Sequence, residues 1–120
     1  MTMQRFENGT RFCRVLSHNG TVYLAGMTAD DTSGDVVQQT RDTLAKIEHY
    51  LSIAGSDKSK LLTVVIWLRD IADFDRMNSV WDAWIDRLNM PVRATVEARL
   101  AGDDYRVEIM VTAAAPEGDS

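Results

Sequence analysis

The 120-residue sequence predicts an α+β fold in which one mixed sheet carries two helices on one face. Three observations predict it: an Asn-Gly pair between two strand-like segments, two stretches with the apolar spacing of an amphipathic helix, and two late segments that alternate apolar and polar residues. The length is that of one domain, so residues 1–120 are treated as a single unit.

The first strands form a predicted hairpin. Residues 11–17 and 21–26 flank the pair Asn19-Gly20, and both residues of that pair tolerate positive φ, as a tight hairpin turn requires. Residues 3–6 are a possible short extra strand, and residues 27–34 have the composition of a loop.

Two helices follow from apolar residues that recur at steps of three and four. The first is predicted from about Asp35 to Ala54, and the second from about Asp73 to Arg87, with Asp70 or Asp73 as its cap. We expect Trp81 and Trp84 in the core, because both lie on the second apolar stripe. The predicted stripes are Val37, Thr40, Leu44, Ile47, Leu51 and Ala54, and then Phe74, Met77, Val80, Trp81, Trp84 and Leu88.

Strands are predicted over residues 61–69, 92–99 and 105–113. The first is apolar on both sides, with Leu62, Val64, Ile66 and Leu68 on one and Val65 and Trp67 on the other. Because the helices can cover only one face, the other face should expose Trp67, Thr95 and Met110. A half-apolar exposed face is more often an oligomer interface than bare surface. Residues 115–120 are expected to form a flexible tail.

The composition excludes several functional classes. The longest apolar run, Val64–Leu68, is far too short to cross a membrane, and because no apolar stretch follows the first residues we expect no secretory leader. One cysteine, Cys13, fits a reducing compartment, so we expect a cytoplasmic protein. The net charge of −5 disfavours a general nucleic-acid binder. Neither Cys13 nor the two histidines, His18 and His49, have metal-ligand spacing, so no metal is expected.

Candidate chemistry lies in the last two strands. Arg93, Glu97 and Arg99 share one predicted strand face, and Glu108 lies on the next strand. If these strands pair, an arginine and a carboxylate approach each other on one face. Two interpretations stay open: a cross-strand salt-bridge ladder, and a carboxylate-binding arginine beside an acid/base carboxylate. We expect Glu97 and Arg99 to be solvated or in a salt bridge between subunits.

Several segments together resemble the RidA family, also called YjgF/YER057c/UK114, of small 2-imino acid deaminases. Two segments of this sequence resemble the C-terminal signature of the family. They are residues 91–101, Pro-Val-Arg-Ala-Thr-Val-Glu-Ala-Arg-Leu-Ala, and residues 107–109, Val-Glu-Ile. Residues 22–26, 38–44 and 73–78 resemble further parts of the family pattern. The resemblance runs from about Phe6 to Ala115 and points to an offshoot subgroup.

This resemblance implies a chorismate-mutase-like fold and a homotrimer whose three sheets close into a barrel, with an active site at each subunit interface. It implies that Arg93 binds the substrate carboxylate with two parallel N–H groups and that Glu108 positions or activates the hydrolytic water. Gly26, Thr95 and Asn78 would complete the pocket. The implied reaction converts a 2-imino or enamine acid to a 2-keto acid and ammonia, without a cofactor or a nucleic-acid partner.

The sequence departs from the family pattern at the pocket. Phe12 stands where the family has a tyrosine, Ala25 replaces a serine, Met27 follows Gly26 where glutamine is frequent, and Thr95 replaces a cysteine. Phe12, Ala25 and Met27 fit simple hairpin packing equally well. The alternative function is a non-catalytic sensor that binds a small carboxylate, and the family's link with RNA cleavage ranks third. Retention of both Arg93 and Glu108 favours the enzyme.

Overall fold

A six-stranded mixed sheet carries two helices on one face in the computed structural model, which describes residues 3–116. The helices are α1, Val36–Ile53, and α2, Phe74–Trp84. The sheet order is β1-β2-β3-β6-β4-β5. The strands are β1 Gln4–Asn8, β2 Cys13–His18, β3 Thr21–Leu24, β4 Leu61–Leu68, β5 Val92–Glu97 and β6 Val107–Ala114. The predicted mixed α+β fold is confirmed.

The topology explains why both helices share a face. Strand β6 is antiparallel to β3 and to β4, so β3 and β4 run parallel to each other and α1 connects them. Strands β4 and β5 are parallel neighbours, and α2 connects them. Crossovers between parallel strands are right-handed in nearly all proteins. Because both crossovers move across the sheet in the same direction, they place α1 and α2 on the same side.

The predicted hairpin is confirmed by the backbone of its turn. Asn19 and Gly20 have φ values of 53° and 77°, and they join β2 to β3 in antiparallel register. The possible extra strand is also present, as β1, which pairs with β2.

Strand β4 departs from the predicted alternation at its start. Val64, Ile66 and Leu68 face the helices and are buried, as predicted. The register with β6 shifts between Leu61 and Thr63, so Leu61 is buried instead and Leu62 is 44% exposed. The prediction that Leu62 shares the face of Val64 is therefore wrong, because an irregularity of one residue reverses the alternation.

Helix α1 matches its predicted range closely. Asp35 caps it: its side chain accepts a hydrogen bond from the Gln38 N–H at 3.0 Å.

Helix α2 is shorter than predicted. It ends at Trp84 because Ile85 is extended, and Leu88, predicted on its stripe, is 92% exposed. Asp70 does not cap α2 directly: its side chain accepts from the Ala72 N–H in a 3₁₀ turn, Ile71–Asp73, that precedes the helix. Asp73 holds the N-cap position of α2, but within the described residues its side chain makes no capping hydrogen bond.

The ends of the last strands also differ from the predictions. Strand β5 ends at Glu97 and β6 begins at Val107, so the connection between them is longer than expected. The predicted tail begins later than residue 115, because the Ala115 N–H donates to the Gly20 carbonyl oxygen at 2.9 Å. The rest of that prediction, residues 117–120, lies outside the described residues. Among the described residues, no helix is both long and apolar enough to span a membrane.

One buried amide ties α1 to two loops. Gln39 is fully buried, and its Nε2 donates to the carbonyl oxygens of Asp104 at 3.0 Å and Gly34 at 3.1 Å. Its Oε1 accepts from the Arg106 N–H at 2.8 Å. The amide thereby satisfies backbone groups of the segment before α1 and of the connection between β5 and β6.

We expect Gln39→Leu to lower the free energy of unfolding by about 2–4 kcal/mol, because buried backbone groups lose their hydrogen-bond partners. Guanidinium unfolding at one fixed protein concentration measures this change. Gln38→Leu is the matched control, because Gln38 is exposed and its side chain bonds only Asp42 within its own helix. Equal losses in the two variants would contradict a structural role for the Gln39 amide.

Candidate active site

Arg93 lies near two aromatic rings on the face of β5 that is turned toward the helices. It is in register with the buried Val64 of β4. Its guanidinium carbon is 5.2 Å from the centre of the Trp81 ring and 6.0 Å from that of Phe74. Burial lowers the pKa of Arg93 from its ordinary value, and the charge of Asp82 partly offsets this. The guanidinium nevertheless stays charged, because its pKa starts so high.

Two further polar groups on this side have no hydrogen-bond partner within the described residues. Phe74, Asn78 and Trp81 are spaced by four and three residues, which places them on one side of α2. Thr95 follows Arg93 by two residues and shares its strand face. The Asn78 Oδ1 and the Thr95 Oγ1 are buried, and neither has a hydrogen-bond partner among residues 3–116.

We call Arg93, Asn78 and Thr95, with the rings of Phe74 and Trp81, the Arg93 cluster. In the part of the chain that the structure describes, no residue accepts a hydrogen bond from Arg93 or forms an ion pair with it. Buried polar groups in proteins are normally paired, and exceptions call for an explanation such as a ligand or a catalytic role. The Arg93 cluster therefore has the unused hydrogen-bonding capacity of a binding site for a small anion.

Glu108 lies on the opposite face of the sheet. It is in register with Trp67 of β4, and its carboxylate covers Gly26 so closely that a β-carbon at Gly26 would collide with the Glu108 Oε2. Backbone hydrogen bonds of 2.8 and 2.9 Å between Met27 and Ile109 fix the Gly26 segment beside β6. Burial raises the pKa of the Glu108 carboxyl above its ordinary value.

The condition under which Arg93 and Glu108 would meet within one chain, pairing of their two strands, is not met. Strand β5 pairs with β4, and β4 separates it from β6. Arg93 faces the helices, whereas Glu108 faces away from them. A salt-bridge ladder between these two residues is therefore excluded within the chain. Thr95, expected on the uncovered face, is also on the helix side, because it pairs with the buried Ile66.

Glu97 and Arg99 have separate positions. The Glu97 Oε1 accepts from the Ile71 N–H at 2.9 Å and so holds the turn that precedes α2. Arg99 lies beyond the end of β5 and is exposed.

The three hairpin residues that depart from the family pattern do not behave alike. Met27 is fully buried in the core, so packing explains it. Ala25 is partly buried, and its N–H donates to the Arg14 carbonyl oxygen. Phe12 is 56% exposed in the connection between β1 and β2, so hairpin packing does not explain it. Its place in a pocket stays a prediction.

The uncovered face of the sheet is half apolar, as predicted. Trp67 is partly buried, and Tyr23, Val96 and Met110 are each more than two-fifths exposed. Within residues 3–116 there is no group of three or more histidine, cysteine or acidic side chains that could hold a metal ion.

Sequence reasoning missed the contact of Arg93 with Phe74 and Trp81. Both rings were expected only to pack in the core. A signal was present: the rings lie seven residues apart on one stripe of a helix that connects two parallel strands, and the arginine follows on the second strand. That arrangement turns the stripe toward the strand that carries the arginine.

The fold and the placement of these residues define a class of small α+β protein, and known proteins have the same fold. A family profile described as Endoribonuclease L-PSP matches residues 2–115, and the chain belongs to this family. A RutC family protein of Haemophilus ducreyi is 42% identical over 92% of this chain and 94% of its own. RutC family protein YoaB of Escherichia coli is 41% identical over 95% and 99%.

Solved structures agree with this assignment. A member of the YjgF family from Neisseria meningitidis has a TM-score of 0.94 at 41% identity and covers 97% of both chains. A member of the YjgF/YER057c/UK114 family from Mycobacterium tuberculosis has a TM-score of 0.85 at 26% identity, covering 95% of this chain and all of its own. The predicted membership of the RidA/YjgF family is confirmed.

The raised pKa of Glu108 predicts a pH-dependent stability. Below the pKa of the unfolded chain the carboxyl is protonated in both states, and its burial costs little. As pH rises through the higher pKa of the folded state, ionisation of the half-buried carboxyl lowers the stability. We therefore expect the free energy of unfolding of Glu108→Gln to rise relative to the wild type between about pH 4 and pH 7.

Urea unfolding at several pH values and one protein concentration measures this difference. A difference that stays constant, or that shrinks as pH rises, would contradict the assigned direction.

Proposed function

We propose that this protein hydrolyses 2-imino acids and their enamine tautomers to 2-keto acids and ammonia. The observation that carries the proposal is the Arg93 guanidinium, charged and half-buried, without an acceptor among the described residues. A guanidinium presents two parallel N–H groups that match the two oxygens of a carboxylate. The unpaired Asn78 Oδ1 and Thr95 Oγ1 supply further polar contacts for the atoms next to that carboxylate.

The active form we propose is a homotrimer in which each site takes Arg93 from one protomer and Glu108 from the next. The sheet separates these residues within a chain, so a shared site requires two chains. The uncovered face exposes Tyr23, Val96 and Met110, which favours burial against another subunit. Strand β5 is at the edge of the sheet, where Arg93 can reach a neighbour's uncovered face.

Glu108 is proposed to carry the protons of the reaction. Its carboxylate takes a proton from water as the oxygen bonds to the iminium carbon, and the C=N electron pair moves to nitrogen. The carboxyl then gives this proton to the amine. The C–N bond breaks, the carbonyl forms, and its hydroxyl proton leaves with ammonia as ammonium. Burial raises the pKa of the Glu108 carboxyl and so moves it toward neutral pH. A proton carrier works best when its pKa is near the working pH.

A sensor that only binds a carboxylate needs the Arg93 cluster but gains nothing from Glu108. Ionising a carboxyl in this half-buried place is unfavourable, and the carboxylate in its present position lies where a β-carbon at Gly26 would be. Both features suit a group that exchanges protons. The net charge of −5 offers no general surface for RNA, so the enzyme is favoured over a nuclease.

We expect Arg93→Lys to lose most keto-acid binding and most turnover while it remains folded, because lysine keeps the charge but not the two parallel N–H groups. The loss corresponds to about 2–5 kcal/mol of binding free energy. Titration calorimetry with 2-oxobutyrate and a coupled assay with imines generated by an amino acid oxidase measure the two effects. Arg99→Lys, at an exposed arginine nearby, is the control. Wild-type rates in Arg93→Lys would remove Arg93 from the site.

We expect Glu108→Gln to bind 2-oxobutyrate but to turn imines over roughly 10²–10⁴ times more slowly, because glutamine cannot accept and return a proton. The same calorimetry and coupled assay separate binding from turnover. Unchanged turnover would exclude Glu108 from proton transfer. A wild-type protein that binds keto acids without accelerating imine loss would leave only the sensor.

Co-expression of the Arg93→Lys and Glu108→Gln chains tests the shared site. Every mixed trimer of the two chains has one fully native site if Arg93 and Glu108 come from adjacent protomers. Activity should then return in the mixture, although each variant alone is inactive. Sedimentation equilibrium checks the trimer, and a mixture without activity would contradict the shared site.

A further inference from the structure

We propose that Trp81, with Phe74, is a positioning residue for Arg93: the ring faces hold the guanidinium and leave its N–H groups free for a ligand carboxylate. This inference deepens the proposed function and rests on its binding site. It assigns to Trp81 a role beyond the core packing expected from its place on α2.

The geometry supports an attractive contact. The guanidinium carbon lies 5.2 Å from the Trp81 ring centre, within the range of cation–π interaction. Trp81 is only 6% exposed, and its ring packs against Trp84 at 5.5 Å. The ring is thus fixed by the core, and a fixed ring restricts the position of the cation above it.

Among residues 3–116 no acidic side chain is paired with Arg93, and this determines what the ring contact can do. A carboxylate beside Arg93 would occupy its N–H groups and neutralise its charge, and a ligand carboxylate would have to displace it. An aromatic ring attracts the cation without accepting those hydrogen bonds. Asp82 acts on Arg93 only by its charge, since among the described ion pairs and hydrogen bonds none joins the two.

The same helix offers a matched control one turn further on. Trp84 also has a cation over its ring, because the Lys58 Nζ lies 5.4 Å from the ring centre. That cation is held by other groups: it donates to the Trp84 carbonyl oxygen at 2.7 Å and lies 3.7 Å from the Glu48 carboxylate. Trp84 therefore shares the residue type, helix and cation contact of Trp81, but its cation is not Arg93.

The test compares Trp81→Leu and Trp81→Phe with Trp84→Leu, all in the full chain. Titration calorimetry with 2-oxobutyrate should show binding about tenfold weaker in Trp81→Leu, because a desolvated cation–π contact has been lost. Trp81→Phe keeps a ring and should restore part of the affinity, whereas Trp84→Leu removes only a ring packed against Trp81 and should stay closest to the wild type. If Trp81→Leu does not fold, Trp81→Phe decides: it should bind more weakly than the wild type and Trp84→Leu, because tryptophan is the strongest cation–π partner, and wild-type affinity in Trp81→Phe would overturn the proposal.

A spectroscopic signature separates positioning from stability. The ring face should shift the NMR signal of the Arg93 Nε–H proton upfield, and Arg93→Lys identifies this signal by its loss. The upfield shift should disappear in Trp81→Leu and persist in Trp84→Leu. A folded Trp81→Leu that binds 2-oxobutyrate as well as the wild type, or that keeps the upfield shift, would overturn the proposal. If the wild type neither binds 2-oxobutyrate nor hydrolyses imines, the proposed function fails, and the NMR comparison still decides whether Trp81 positions Arg93.

Discussion

The register of β4 with its two neighbours decides which side chains of the sheet meet the helices. Val64 is paired with Arg93 on one side, and Trp67 is paired with Glu108 on the other. Because side chains alternate along a strand, a slip of one residue in either pairing would exchange the faces of all the groups on that strand. The burial of Val64, Ile66 and Leu68 under the helices fixes this register and thereby places the two charged groups apart.

Local signals predicted the elements well. The Asn19-Gly20 turn and the stripes of both helices depend on neighbours in sequence, and each was found where expected apart from the early end of α2. The partner of β5 depends on contacts far apart in sequence, and so do the hydrogen bonds of Gln39 to Asp104 and Arg106. The alternation of β5 fits either orientation, so it could not show that Arg93 faces the helices.

The orientation of β5 runs against the usual rule for a half-buried strand. Its apolar residues Val92 and Val96 are exposed, and the polar Arg93 and Thr95 face the helix layer. Agreement between the polarity of a residue and the side of the sheet it faces fails most often at functional positions. The structure compensates only in part, through the rings of Phe74 and Trp81, and leaves the Thr95 hydroxyl without a partner among residues 3–116.

The position of Gly26 under the Glu108 carboxylate determines how the protein tolerates a substitution of this glycine. Its backbone does not have positive φ, and the group that a β-carbon would strike is the end of the Glu108 side chain rather than the backbone. A small side chain at Gly26 would therefore be accommodated by rotation of that carboxylate, at little cost to folding. Under the proposed function the glycine matters for the position of the Glu108 carboxylate and little for stability, so selection for folded protein alone would not preserve it.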